Sequence, residues 1–143
     1  MEAIKSIAGG LTGATALTAV HEILRKNIKN APEVDKLGMQ AIKKIAGKKA
    51  PEKKENLYRL ALASDIISNT LYYSLTGTSK RPVLTGLMLG AGAGAGVILI
   101  PALTGLNEKY STRTFKTAAM SFGYYFMAGL VSGGIIKLLR SVK

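Results

Sequence analysis

Cysteine and tryptophan are absent from this 143-residue chain, and histidine occurs once, at position 21. Without cysteine there is no disulfide and no thiolate to act as nucleophile or metal ligand, and the redox compartment leaves no trace in the sequence. One histidine leaves a zinc site short of its usual ligands. The string His21-Glu22-Ile23-Leu24-Arg25 opens like a zinc-protease helix, but Arg25 stands where the second histidine belongs. Acidic residues are scarce as well, with 8 Asp and Glu against 20 Lys and Arg for a net charge of +12. The basic stretch has only Tyr58 at its edge as a stacking aromatic, so no nucleic-acid partner is expected.

Charge of either sign is missing from Pro82 to Leu106, a run of 25 residues reading PVLTGLMLGAGAGAGVILIPALTGL. A hydrocarbon core of about 30 Å needs roughly 20 apolar residues, so this segment is expected to cross a bilayer with room for tilt. Gly86, Gly90, Gly92, Gly94 and Gly96 crowd its first half. In water they weaken a helix, whereas in lipid they let another helix approach closely. At four-residue spacing they form two rows, Gly86-Gly90-Gly94 and Gly92-Gly96, and Gly9 with Gly13 and Gly129 with Gly133 extend the theme. Such rows serve helix packing within the chain or across a homo-oligomer. A phosphate-binding loop is a different object, since it needs a Lys and a Ser or Thr after a strand, and no Lys lies near these glycines. Pro101 is placed to kink this segment or end its regular part.

Three further segments compete for the membrane, and the fold expected is all-α, a single membrane domain over residues 1–143 with spans at about 4–24, 57–75, 82–106 and 117–139. The last is uncharged apart from Lys137, whose stem can reach the interface. The first is diluted by glycines and threonines and ends in His21 and Glu22, and the second contains Asp65 and Asn69. A central Asp costs about 2.5–3.5 kcal/mol on insertion, so these two are expected to cross only as a hairpin supported by neighbours. Ala14-Thr15-Ala16 resembles a signal-cleavage site, but Met1 to Lys5 carries one acid and one base and lacks the net positive charge of a signal peptide.

The cations are segregated. Eleven of the 20 lie between Arg25 and Arg59, and with Lys109, Arg113 and Lys116 they place 14 on one side of a four-span topology against 6 on the other. The positive-inside rule then puts both termini away from the cytoplasm, in a cytoplasmic (inner) membrane. Within the basic loop 25–56, Asn30 is a candidate cap for a helix in which Val34, Leu37, Ala41, Ile42 and Ile45 recur at helical spacing up to Gly47. An amphipathic helix on the membrane surface is expected there, offering Lys36, Lys43, Lys44, Lys48 and Lys49 to anionic lipid headgroups. A second helix start at Pro51 and Glu52 feeds the next span.

Ionisable groups inside a membrane are costly and mark functional candidates. Ala61, Asp65, Ser68, Asn69, Tyr72 and Thr76 follow helical spacing and form one polar stripe, expected to face the bundle interior. Antiparallel packing of the first two spans would bring His21 near Asp65. The candidates for ligand binding or proton relay are therefore Asp65, Asn69, Tyr72, His21 and Glu22. The plainer alternatives are an interhelical lock for Asp65 and, for Glu22, an ion pair with Arg25 and Lys26. The function expected is transport or binding of a small ligand, ion or lipid, with a non-catalytic adaptor that docks anionic lipid or a partner on the basic loop as the alternative. An intramembrane enzyme using His21 and Asp65 ranks last, because no nucleophile, metal set or phosphate motif accompanies the pair, and no catalytic residue, metal or cofactor is assigned.

Overall fold

Helix α1 (Glu2–Asn27) opens the computed structural model, which describes residues 1–142, and is followed by α2 (Val34–Ala46), α3 (Lys54–Ser74), α4 (Pro82–Leu103), α5 (Lys109–Thr112) and α6 (Phe115–Ser141). Short 3-10 turns at Gly47–Lys49 and Leu75–Thr78 follow α2 and α3, and no strand occurs among the described residues. Local chemistry sets several boundaries. Pro82 starts α4 at a position where its missing N–H costs nothing, and Thr114 with Thr117 forms a reciprocal capping box at the start of α6. Asn30 does not cap α2 as expected: it takes a left-handed φ of 61° in the connection, its carbonyl accepts the Thr117 hydroxyl at 2.8 Å, and Glu33 occupies the cap position. Pro101 lies inside α4, which ends two residues later at Leu103.

Three helices, not four, are long and apolar enough to cross a membrane: α1, α4 and α6. Helix α3 has the length, at 21 residues, but Asp65 and Asn69 in its middle and the charged first turns around Lys54, Glu55 and Arg59 lower its hydropathy. It nevertheless runs antiparallel to α1 along that helix's whole length. Tyr58 meets Glu22 at one end, and Gly77, just past α3, packs on Ser6 at the other. Helix α6 is antiparallel to both α1 and α4, so the four long helices alternate in direction and both chain ends lie at one end of the bundle. There Arg140 of α6 donates from Nε to Glu2 (2.8 Å) and from its two amino nitrogens to the carbonyls of Ser79 and Gly77 (2.6 and 2.5 Å).

Glycine decides how tightly α4 and α6 meet. A side chain added at Gly86 would run into the Gly129 carbonyl, and one at Gly129 into the Gly86 carbonyl. A Cβ on Gly90 would sit 2.8 Å from the Tyr125 carbonyl, and one on Gly94 2.8 Å from the Phe122 ring. Backbones this close gain dispersion and Cα–H···O contacts that larger residues would forbid. Gly9 and Gly13 play the same part in α1, where they face Ile136 and Ala128 of α6. Gly92 and Gly96 do not: an added Cβ would find only Tyr72 Oη at 3.4 Å and Ile100 Cδ1 at 3.3 Å.

Several small hydroxyl residues lie inside, and many large apolar side chains lie outside. Thr76, Ser111, Thr117, Ser121 and Ser132 are buried, while Ile7, Leu11, Ile67, Leu71, Met88, Leu99, Leu130 and Leu138 are exposed. Three inner hydroxyls lock one segment to another, Ser121 to the Ser111 carbonyl (2.8 Å), Ser132 to that of Tyr73 (3.1 Å) and Thr117 to that of Asn30 (2.8 Å). Leu17, Tyr73, Tyr124, Tyr125 and Ala128 form the centre of the core.

Candidate functional site

Helix α2 does not lie free on a surface as its pattern suggested. It folds across the end of the bundle and buries Leu37, with Gly38 against Ala61 of α3. The strap is fastened from both sides. The Glu33 N–H donates to the Tyr110 carbonyl (2.8 Å), the Asn107 N–H donates to Gln40 Oε1 (3.0 Å), and Lys44 donates to the Thr104 carbonyl. Glu33 accepts from Lys36 (2.5 Å) and from Arg113 (2.9 Å), and Lys36 also lies over the Tyr110 ring. Burial works to raise the Glu33 carboxyl, but the hydrogen bonds from Lys36 and Arg113 outweigh it and hold the group below its ordinary range. Of the five lysines assigned to headgroups, Lys36 and Lys44 are therefore engaged within the chain, and Lys43, Lys48 and Lys49 are exposed.

Beneath this strap α1, α2, α3 and α6 enclose a cavity of ≈ 40 Å³, room for a few water-sized groups. His21, Glu22, Asp35, Asp65, Tyr58 and Tyr124 line it. His21, buried, places Nε2 3.2 Å from the Pro32 carbonyl, and since a carbonyl only accepts, the proton sits on Nε2. Nδ1 is left facing Glu22 Oε1 at 3.7 Å, beyond a hydrogen bond. Glu22 is held by Arg25 (2.7 Å) and by the Tyr58 hydroxyl (2.9 Å). Lys26, the other expected partner, reaches it only at 4.0 Å.

Three of the residues that line the cavity carry a buried side-chain atom with no hydrogen-bond partner: Thr18 Oγ1, Asp35 Oδ1 and Tyr124 Oη. Tyr124 is only 5% exposed and meets His21 edge-on, with ring centroids 6.1 Å apart. Asp35 lies 3.8 Å from the His21 ring and 3.9 Å from the Arg25 guanidinium, too far to bond either well. A buried polar group without a partner costs about 1–3 kcal/mol, and three on one cavity make an unfilled donor and acceptor set. Such a set can take up a small hydrogen-bonding species. Among the described residues no group of three His, Cys, Asp or Glu side chains is arranged to hold a metal ion.

The expected pairing of His21 with Asp65 is corrected in detail. Both face the cavity, but the acid beside the His21 ring is Asp35 of α2, which reaches it because the strap folds inward. Asp65 instead accepts from the Asn69 amide one turn along its own helix (2.9 Å). The polar stripe also divides: Ala61, Asn69 and Thr76 are buried, Ser68 is exposed, and Tyr72 crosses to donate to the Leu89 carbonyl of α4 (2.9 Å). Asp35, Tyr124, Tyr58 and Thr18 were missed. Asp35 is one of four acids in the basic loop and Tyr124 one of two adjacent tyrosines in its helix, so nothing local marks either.

No protein-family model, curated protein or solved structure matches this chain.

Proposed function

We propose that this chain is an integral membrane protein of four crossing helices that binds or passes a small ion or hydrogen-bonding ligand through the polar cavity between α1, α2, α3 and α6. The observation that carries this reading is the Tyr124 hydroxyl, buried and unpartnered on the cavity wall beside His21 and Asp35. Membranes rarely keep such groups inside a bundle unless they meet something.

Helix α3 is taken as the fourth crossing although its composition alone is too polar. It lies at the same depth as α1, and a chain whose residues 2 and 140 meet at one face crosses an even number of times. The strap and the connections bearing 14 of the 20 cations lie at the other face, which supports a cytoplasmic-membrane protein with both termini on the far side.

The test is proton or small-cation uptake into sealed liposomes carrying the purified protein, followed with a trapped pH dye. The expected result is flux above that of empty vesicles, reduced at least tenfold in Asp65→Asn and in Tyr124→Phe. Vesicles as tight with the protein as without it, together with no solute retained by the purified protein in native mass spectrometry, would overturn the reading.

A second reading rests on the exposed Lys43, Lys48 and Lys49 beside Ile45, which is 87% exposed: an adaptor surface for anionic lipid. It predicts that replacing the three lysines with glutamine abolishes binding to phosphatidylserine vesicles while cavity variants leave that binding intact.

A further inference from the structure

Between α3 and α4 the bundle is open. The two helices touch little along their length, and from the Tyr72–Leu89 bond to the underside of α2 they leave a groove of ≈ 580 Å³, within the size range of ligand sites. Its two walls differ. The α3 wall is polar, with Asp65, Ser68 and Asn69, and the α4 wall is apolar and nearly bare, with Gly92, Gly96, Val97 and Ile100. No helix packs on Gly92 or Gly96, in contrast to Gly86, Gly90 and Gly94, so packing does not account for their missing side chains. No basic residue lines the groove, and the structure gives Asp65 a single hydrogen bond, from Asn69 to Oδ1, leaving Oδ2 free.

We propose that this groove binds a single-chain lipophilic amine, with its ammonium on Asp65 and its alkyl body along Gly92, Gly96 and Val97. The carboxylate is complementary to a cation that the chain itself does not supply there. The glycines leave a smooth trough of alkyl width, and the exposed Ser68, Gly92 and Ile100 open it sideways, so that an amphiphile dissolved in the bilayer enters without crossing the bundle. The proposal rests on the membrane reading, and it shares Asp65 with the internal cavity, whereas Tyr124 belongs to the cavity and Gly96 to the groove.

The experiment uses the full chain in phosphatidylcholine nanodiscs and three radiolabelled probes of equal length: dodecylamine, dodecanol and dodecanoate. Saturable dodecylamine binding is expected, at least tenfold tighter than either control. Asp65→Asn and Gly96→Leu should each weaken it tenfold or more, whereas Tyr124→Phe, which alters the cavity alone, should leave it unchanged. Where a variant fails to fold, a spin-labelled dodecylamine on the unaltered protein decides: it should broaden the amide signals of Gly92 and Gly96 and spare those of Gly123 and Gly134. Equal binding of amine and alcohol, undiminished binding in well-folded Gly96→Leu, or a groove closed to the probe by a second copy of the chain would each overturn the proposal. Loss of flux in Tyr124→Phe with intact amine binding would separate the two sites, and the reverse pattern in Gly96→Leu would do so from the other side.

Discussion

Tyr73 donates its hydroxyl to the Tyr125 carbonyl at 2.8 Å, joining the last turn of α3 to the middle of α6 through a fully buried side chain. The Ser132 hydroxyl returns a bond to the Tyr73 carbonyl at 3.1 Å, so α6 both accepts from and donates to one residue of α3. These bonds hold a polar helix in the bundle where hydropathy alone would not. Tyr73→Phe should therefore lower stability by about 1–2 kcal/mol, the cost of losing a buried hydrogen bond. Tyr124→Phe, which removes a hydroxyl with no partner, should be neutral or slightly stabilising. Chemical denaturation in mild detergent reads both, and equal losses in the two variants would contradict the hydrogen-bond assignment.

The α4–α6 contact makes a sharper demand. Gly86→Ala and Gly129→Ala each push a methyl into the opposing carbonyl and should cost about 1–3 kcal/mol, the usual range for overpacking. Gly134→Ala points into open space on the same helix and should be tolerated. Thermal unfolding of the three variants side by side checks the ranking.

The strap should respond to acid. Because Glu33 is held below its ordinary pKa of 4.5 when folded, it favours the folded state fully above that value, and the benefit disappears as pH falls through the lowered one. Glu33→Gln should cost about 0.5 kcal/mol at neutral pH, a small figure because Lys36 and Arg113 are partly exposed, and should flatten the acid limb of the stability curve. Identical acid limbs for parent and variant would remove the ion pairs from the account.

Arg140 ties three segments at the other end. Arg140→Ala should cost about 1–2 kcal/mol and, more tellingly, should speed amide exchange in the 77–79 turn and in the first turn of α1. Arg140→Lys should restore little, since one ammonium cannot reach Glu2, Gly77 and Ser79 together.

Much of this architecture was legible in the chain. The uncharged glycine run, the positions of all four long helices and the α2 pattern follow from periodicity and charge, and each helix lies within a few residues of its expected bounds. The site was legible only in part. His21, Glu22 and Asp65 stand out as ionisable groups in apolar surroundings, but Asp35 and Tyr124 join them through the fold of the strap and the rotation of α6, and neither is a local property. The pattern of α2 likewise records that one face is apolar without recording whether lipid or protein covers it. For the same reason, the spacing of the five glycines in α4 separates two rows but does not say that only one of them meets a helix.

The meeting of Glu2 with Arg140 carries an engineering consequence. A linker of a few residues would join the two ends, and the chain could be reopened in the exposed Gly47–Lys49 turn, where Gly47 takes a positive φ of 54° and nothing packs within 4 Å of where its side chain would be. Such a circular permutant would turn the strap into a terminal arm held only by its own contacts at Glu33, Leu37, Gln40 and Lys44, which makes the closure over the cavity separable from the bundle that forms its walls.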